Sequence, residues 1–481
     1  MHRFVVWFIL TSQLCSFVVP ASAQQDYEQW AKKQQDLLQQ FKDKRDKAFT
    51  DFLQKDWKEF QAFQGLVRDD HPKPKNVPTA KVSDVPPPPA TVPKVTTVPP
   101  PQPVPEKPTS PEPPILTGNL LKLNFFNTPV EITYSPNLQV DFGSEINNET
   151  ITAYWADLSK SDYEPMVKQI TKISASLGLN DWGKVLLVHT IAGQLNNGNT
   201  NTATLWTWFI LTKCGYNTRI GFSGNAIYLM MASGEAIYGA PYLTVDDQRY
   251  FIVPFDGKPQ TIQSLTSYQG AYPGQQKTVG FRISTSPAFA DEFVTKTIRF
   301  SYLGSSYTVP VQVNRNLIRF YRDYPQTEIP VYFERTINPT TANSILEALG
   351  KIIKGKSETE AVNIILSFVQ TGFRYETDEK QFGSENYLFP EETLFYPASD
   401  CEDRAALFAF LVRNLLDLPV VGLDYPGHIA TAVLFSTPVG RDGISYQGKT
   451  YTICDPTYIH AEYGMTMPIV KGKHVKVFAL N

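Results

Sequence analysis

The sequence predicts an α+β protein built around a cysteine-bearing helix packed on an antiparallel sheet. That unit is expected twice, preceded by a long helix and a proline-rich linker. Three observations carry the expectation. Strand-like and helix-like segments mix throughout the chain after Gly118. Two stretches offset by about 202 residues each read helix, turn, strand, strand. Of 37 prolines, 17 fall between Pro72 and Pro114, which excludes core, helix interior and sheet interior there.

Residues 1–23 start with His2 and Arg3, run apolar from Phe4 to Leu10 and again over Phe17–Val19, and end in Ala21-Ser22-Ala23. That is the pattern of a signal peptide with a small-residue cleavage site, so the expectation is cleavage after Ala23 and an exported, periplasmic or envelope-associated protein. Bulky Leu14 argues against a lipoprotein signal at Cys15. No later stretch reaches the roughly 18–20 uninterrupted apolar residues that span a bilayer. Residues 24–65 lack proline and internal glycine, and Trp30, Leu37, Phe41, Phe49, Phe52, Trp57, Phe60 and Phe63 recur mostly at spacings that make one apolar stripe. A single amphipathic helix is expected there. Its stripe needs a partner: the protein's own body, a second copy, or another envelope protein. Residues 66–116 read as an extended polyproline II spacer that holds the helix away from the body.

The 481 residues carry 44 Lys+Arg against 47 Asp+Glu, a formal charge of −3 that argues against a nucleic-acid binder or a polybasic membrane protein. With 42% hydrophobic and 13% aromatic residues, the remainder can bury a large core. The expected units are residues 117–295 and 296–481. No Cys/His cluster has metal-ligand spacing and no glycine-rich phosphate loop occurs, so no cofactor is expected.

The repeat lays Asp403–Val412 over Asn201–Ile210 with apolar residues matching apolar ones; Ile429–Phe435 then meets Ile227–Met231, and Tyr451–Ile453 meets Tyr250–Ile252. Cys401 falls opposite Asn199, His428 opposite Ala226 or Ile227, and Asp455 opposite Pro254. Only the second copy keeps groups capable of chemistry.

After removal of Cys15, three cysteines remain, so at least one thiol is unpaired within the chain. Ser399 and Glu402 form a capping-box pattern that starts a helix and places Cys401 at its second position, where the helix dipole favours a thiolate. A thiolate nucleophile needs a base and the base an orienting acceptor. His428 opens a strand-like run after Pro426-Gly427, and Asp455 follows the strand-like Lys449–Cys454, which a Gln447-Gly448 hairpin turn is expected to pair with the His428 strand, so that the two stand side by side. His460 is the rival base; His474 reads as a surface residue. Cys454, one residue before Asp455, should face the other side of the sheet.

The run Pro390-Glu-Glu-Thr-Leu394, Asp400-Cys-Glu-Asp-Arg-Ala405, His428 before a strand, and Tyr451-Thr-Ile-Cys-Asp-Pro-Thr457 resembles the transglutaminase-like superfamily, especially its bacterial cysteine-peptidase members, over about residues 340–460. The resemblance implies a papain-like α+β fold with Cys401 as nucleophile, His428 as general base and acid, and Asp455 as orienter. It further implies an oxyanion site built from the Cys401 backbone N–H with Gln381 or Tyr387. Ile429-Ala430 departs from the small residue and Trp or Val that often follow the histidine in this family. The expected activity is thiol-dependent amide hydrolysis or acyl transfer on a protein or peptide substrate. The alternative is a noncatalytic envelope scaffold.

Overall fold

Helix α1 covers Ala21–Leu53, after which the chain enters strand β1, Trp57–Gln61. The helix expected over residues 24–65 therefore ends at Leu53. Trp57, Phe60 and Phe63 have helix-like spacing, yet β1 pairs antiparallel with β8, Ser264–Tyr268. There the Trp57 ring packs against Tyr268 at 5.5 Å and Phe222 at 5.7 Å. A sheet ladder with aromatic contacts overrides the local period. The docked end of α1 buries Phe49 and Leu53, and Asp46 accepts from Lys213 Nζ, Tyr272 OH and Tyr163 OH. Toward its start, Trp30, Leu37, Leu38 and Phe41 remain at least 50% exposed. The linker is no simple spacer, because the helix before it docks on the body and part of the linker does too.

The computed structural model describes residues 21–67, 73–81, 118–252, 254–255, 261–333 and 336–480, without the side chains of 21–28 and 31. The signal-peptide reading of residues 1–20 and most of the proline-rich linker lie outside the described residues. No helix among the described residues is long and apolar enough to cross a membrane.

The first half opens with the hairpin β2 (Asn119–Phe125) and β3 (Thr128–Tyr134), followed by helices α2 (Asn148–Ser159), α3 (Tyr163–Ser176), α4 (Asp181–Leu195) and α5 (Thr200–Lys213). Strands β4 (Thr218–Ser223), β5 (Ala226–Ala232), β6 (Tyr242–Val245), β7 (Gln248–Ile252) and β8 then join β1 in an antiparallel sheet of order β1-β8-β4-β5-β7-β6. Helix α5 packs on β4 and β5 and buries Trp206, Trp208 and Phe209.

The second half begins with the hairpin β9 (Phe293–Tyr302) and β10 (Ser305–Asn314), continues through α6 (Arg315–Arg322), α7 (Pro339–Ile353), α8 (Glu358–Gly372), β11 (Arg374–Tyr375), α9 (Asp378–Phe382), α10 (Pro390–Phe395) and β12 (Ala398–Ser399), and reaches α11 (Cys401–Leu415). Strands β13 (Val420–Tyr425), β14 (His428–Val433), β15 (Gly443–Tyr446), β16 (Lys449–Cys454) and β17 (Lys476–Ala479) form an antiparallel sheet of order β15-β16-β14-β13-β17. The expected boundary after residue 295 falls inside β9. That hairpin packs on α7 and α8, with Phe300 edge-on to Phe368 at 5.4 Å, so it belongs with the second half.

Both sheets run in one order, β6-β7-β5-β4-β8 and β15-β16-β14-β13-β17, with β1 added at the edge of the first. Register pairs Met230 with Ile252 and Ala432 with Ile453, which sets Pro254 opposite Asp455 and Ala226 opposite His428. The helix starts align Thr200, not Asn199, with Cys401; Asn199 is the N-cap of α5 as Asp400 is of α11. The architecture is mixed α+β. One apolar cluster extends from Phe49 through both halves to Tyr463, so they share a core.

Helix α10 supports α11 and carries two buried acids. Burial pushes Glu391 up to about 7 and Glu392 up to about 8. Glu391 accepts from Tyr321 OH and, at 3.0 Å, from the Asn338 backbone N–H. An acid whose folded pKa is raised contributes stability that is complete below its unfolded value and lost as pH rises through its folded value. Glu391→Gln keeps an acceptor but cannot ionise. The wild type should therefore lose about 3 kcal/mol more than Glu391→Gln between pH 5 and pH 8 in urea denaturation. Equal losses would contradict the assignment.

Candidate active site

The start of α11 is held by the elements around it. Strands β11 and β12 pair in parallel, Tyr375 opposite Ser399. Fully buried Arg404 donates from Nε to Ser399 Oγ at 3.2 Å, from Nη1 to the Gln370 carbonyl at 3.3 Å and from Nη2 to the Phe373 carbonyl at 2.9 Å. Ser399 is thus taken up by β12 and Arg404, and it does not cap the helix. Asp400 is the N-cap; its backbone N–H donates to Asp403 Oδ2 at 3.2 Å, and Asp403 Oδ1 accepts from the Leu388 N–H at 2.9 Å. Cys401 is therefore the first helical residue rather than the second. Asp403 closes the cap in place of Glu402, whose carboxylate turns to Lys73.

His428 is delivered by the Pro426-Gly427 turn between β13 and β14, in which Gly427 adopts φ 76°, a left-handed value suited to glycine. Strand β14 pairs with β16, Thr431 opposite Cys454, and this register brings the residue after β16 to the start of β14. His428 Nε2 donates to Asp455 Oδ2 at 2.8 Å. Asp455 Oδ1 accepts from the Thr457 and Tyr458 backbone N–H groups at 2.9 and 3.2 Å, which fixes the carboxylate. The Gln447-Gly448 turn joins β15 to β16; β14 is the other neighbour of β16.

Cys401, His428 and Asp455 thus come together, at 0%, 3% and 1% exposure. His428 Nδ1 is buried without a hydrogen-bond partner among the described residues. Burial opposes charge on this imidazole, but Asp455 and then the Cys401 sulfur favour it and raise its pKa well above 6.5. Cys401 Sγ also meets Tyr375 OH at 3.7 Å. Burial, then the charges of Cys401 and Asp400, push the Tyr375 phenol well up, so it stays a donor.

Cys401 and His428 line a cleft of about 1050 Å³. Tyr387 lines it as well, whereas Gln381 is not among its lining residues. His460 is exposed, at φ 59°, and does not line the cleft. His474, read as a surface residue, is exposed and sits on the cleft rim. Cys454 is fully buried, and burial pushes its thiol well up; burial pushes Cys214 up to about 11. All three cysteines of the described chain are free.

Two participants were invisible in the sequence. Tyr375 follows no motif, and its role comes from the β11–β12 pairing. Lys73 belongs to the linker, yet its Nζ reaches Asp378 at 3.2 Å, Glu385 at 3.0 Å, Asp400 at 2.8 Å and Glu402. Burial would lower the Lys73 pKa; Glu402, Asp400, Asp378 and Glu385 outweigh it and keep the ammonium charged. Burial pushes Asp378 up to about 7, and it raises Asp400 and Asp403 well above the usual range. Asp378, Asp400 and Asp403, or Asp378, Glu385 and Glu402, stand close enough to share a cation, and Lys73 supplies one.

Asp455→Ala would leave His428 Nε2 and two backbone N–H groups without their acceptor. A loss of about 3–5 kcal/mol in urea denaturation is expected. Asp455→Asn, with a carbonyl in the same place, should lose less. Indistinguishable small losses would show that the interaction does not hold the site.

No family model, curated protein or solved structure matches this chain.

Proposed function

We propose that the chain is an exported thiol-dependent amide hydrolase or acyl transferase of the transglutaminase-like, papain-like type. One observation carries the reading: a buried imidazole is bound through Nε2 to Asp455 at 2.8 Å, its Nδ1 has no other polar partner among the described residues, and the Cys401 sulfur is near enough to favour its charge. A structural histidine in a dry interior normally has both nitrogens satisfied. A general base keeps one nitrogen for the nucleophile.

In this mechanism the Cys401 sulfur attacks an amide carbonyl, its proton residing on His428. The C–S bond forms, and the carbonyl oxygen takes up the negative charge. Tyr375 OH and the Cys401 backbone N–H are the donors for that oxygen, with Tyr375 taking the part first given to Gln381 or Tyr387. The C–N bond then breaks as His428 passes its proton to the leaving amine. The thioester left on Cys401 is resolved by water, or by an amine, whose proton His428 accepts; the sulfur leaves the acyl group as the thiolate it was at the start, beside the charged ring. Asp455 holds the ring and favours its charged form throughout.

The shared strand order supports duplication of one unit, with the first copy as a noncatalytic relative. Thr200, Ala226 and Pro254 stand where the second copy has Cys401, His428 and Asp455. None of them can serve as thiol, base or carboxylate. Export follows from the leader-like residues 1–23.

Iodoacetamide at neutral pH should label Cys401 faster than the equally buried Cys454, and His428→Ala should slow Cys401 at least tenfold, read by mass spectrometry. Equal labelling of Cys401 and Cys454 would overturn the proposal. Tyr375→Phe should keep the melting temperature near that of the wild type while lowering amide turnover about 10²–10³-fold, the usual effect of losing one oxyanion donor. Unchanged turnover would remove Tyr375 from the mechanism.

A further inference from the structure

Residues 73–81 cross the site as a strap fastened at both ends. Thr79 bridges to Ile459, and the Ala80 N–H donates to the Ile459 carbonyl at 2.8 Å. At the other end Lys73 enters the carboxylates beside Cys401. Between them, the Pro74 carbonyl accepts from Tyr375 OH at 2.9 Å, and that same hydroxyl touches Cys401 Sγ at 3.7 Å. The strap therefore lays a lysine side chain and the next carbonyl against the two features that matter for amide chemistry, an anionic pocket and a donor at the nucleophile.

The pocket suits a primary ammonium. Four carboxylates, from Asp378, Glu385, Asp400 and Glu402, close on one nitrogen, more acceptors than its three N–H donors can use. Convergence on a point fits a lysine-type cation rather than the planar fork of a guanidinium. Asp400 is 0% exposed, and its Oδ2 accepts from both Lys73 Nζ at 2.8 Å and the Asp378 backbone N–H at 3.3 Å, which fixes the cation beside the residue that precedes Cys401. Asp400 and Glu402 flank Cys401 in the chain, which ties the cation to the nucleophile.

We propose that this pocket is a subsite for the ammonium group of a lysine in a polypeptide substrate, that this lysine precedes the residue whose carbonyl is attacked, and that residues 73–81 occupy the same path in cis. The inference rests on the reading of Cys401 as a nucleophile and names the substrate that site takes. The strap is then a built-in competitor. It occupies the hydroxyl that touches the Cys401 sulfur, and substrate has to displace it.

The test uses the full chain carrying Cys401→Ala, with and without Lys73→Ala, and an end-blocked heptapeptide with a central lysine beside its norleucine counterpart. In calorimetry, Lys73→Ala should bind the lysine peptide at least tenfold tighter than the norleucine peptide, and at least tenfold tighter than the chain that retains Lys73. Equal affinity for the two peptides would overturn the inference. So would calcium binding without peptide binding, which would assign the carboxylates to a metal. Should Lys73→Ala not fold, hydrogen exchange on Cys401→Ala decides: millimolar lysine peptide should speed exchange of the Ala80 amide and the norleucine peptide should not, and no acceleration overturns the inference. Binding in these chains needs no catalysis. Lysine-selective binding without wild-type turnover would refute only the enzymatic reading, and turnover without that selectivity only the subsite.

Discussion

Burying acids at the start of one helix is the constraint around which the second half is arranged. Asp400, Glu402 and Asp403 open α11, and Asp378 approaches from α9, all at 3% exposure or less. Carboxylates so close in a dry interior cannot all ionise without a cation. Asp403 is satisfied by the backbone of the cap and of Leu388. For Asp378, Asp400 and Glu402 the cation is Lys73. A segment that composition marks as a spacer is thereby required at the site, and the chain before β2 has to return to the body.

The other side of the cleft is set by sheet geometry. A two-residue turn ends in His428, and the register of β14 on β16 makes Asp455 its neighbour. Because α11 packs across β13 and β14, its first residue faces the same end of the sheet. Helix start, strand start and strand end meet at one point, from three separate stretches of chain. The first half has the same strand order, but its counterpart positions hold Thr200, Ala226 and Pro254.

Much of this was legible from residue types. Cys401 before an alanine- and leucine-rich run, His428 after Pro-Gly, and Asp455 after an alternating strand each carry a local signal, and their order in the chain constrains how they meet. The α1 boundary was not legible, since the spacing of Trp57, Phe60 and Phe63 fits a helix as well as a strand edge; β8, some two hundred residues on, decides between them. The cap follows the same logic. Ser399 is a good N-cap, but pairing with β11 and the buried Arg404 withdraws it. Lys73 and Tyr375 have no local signature, because both act through contacts distant in sequence.

The proposed function turns on His428 as a charged bridge between Asp455 and Cys401. The direct measurement is nitrogen-15 NMR of the His428 ring, selectively labelled, at pH 7.5 in the wild type and in Cys401→Ala. Both ring nitrogens should carry protons in the wild type, since Asp455 and the Cys401 sulfur raise the imidazole pKa well above its ordinary value, and removing the sulfur should lower its titration point. A neutral ring, with a titration point unmoved by Cys401→Ala, would contradict the proposed bridge.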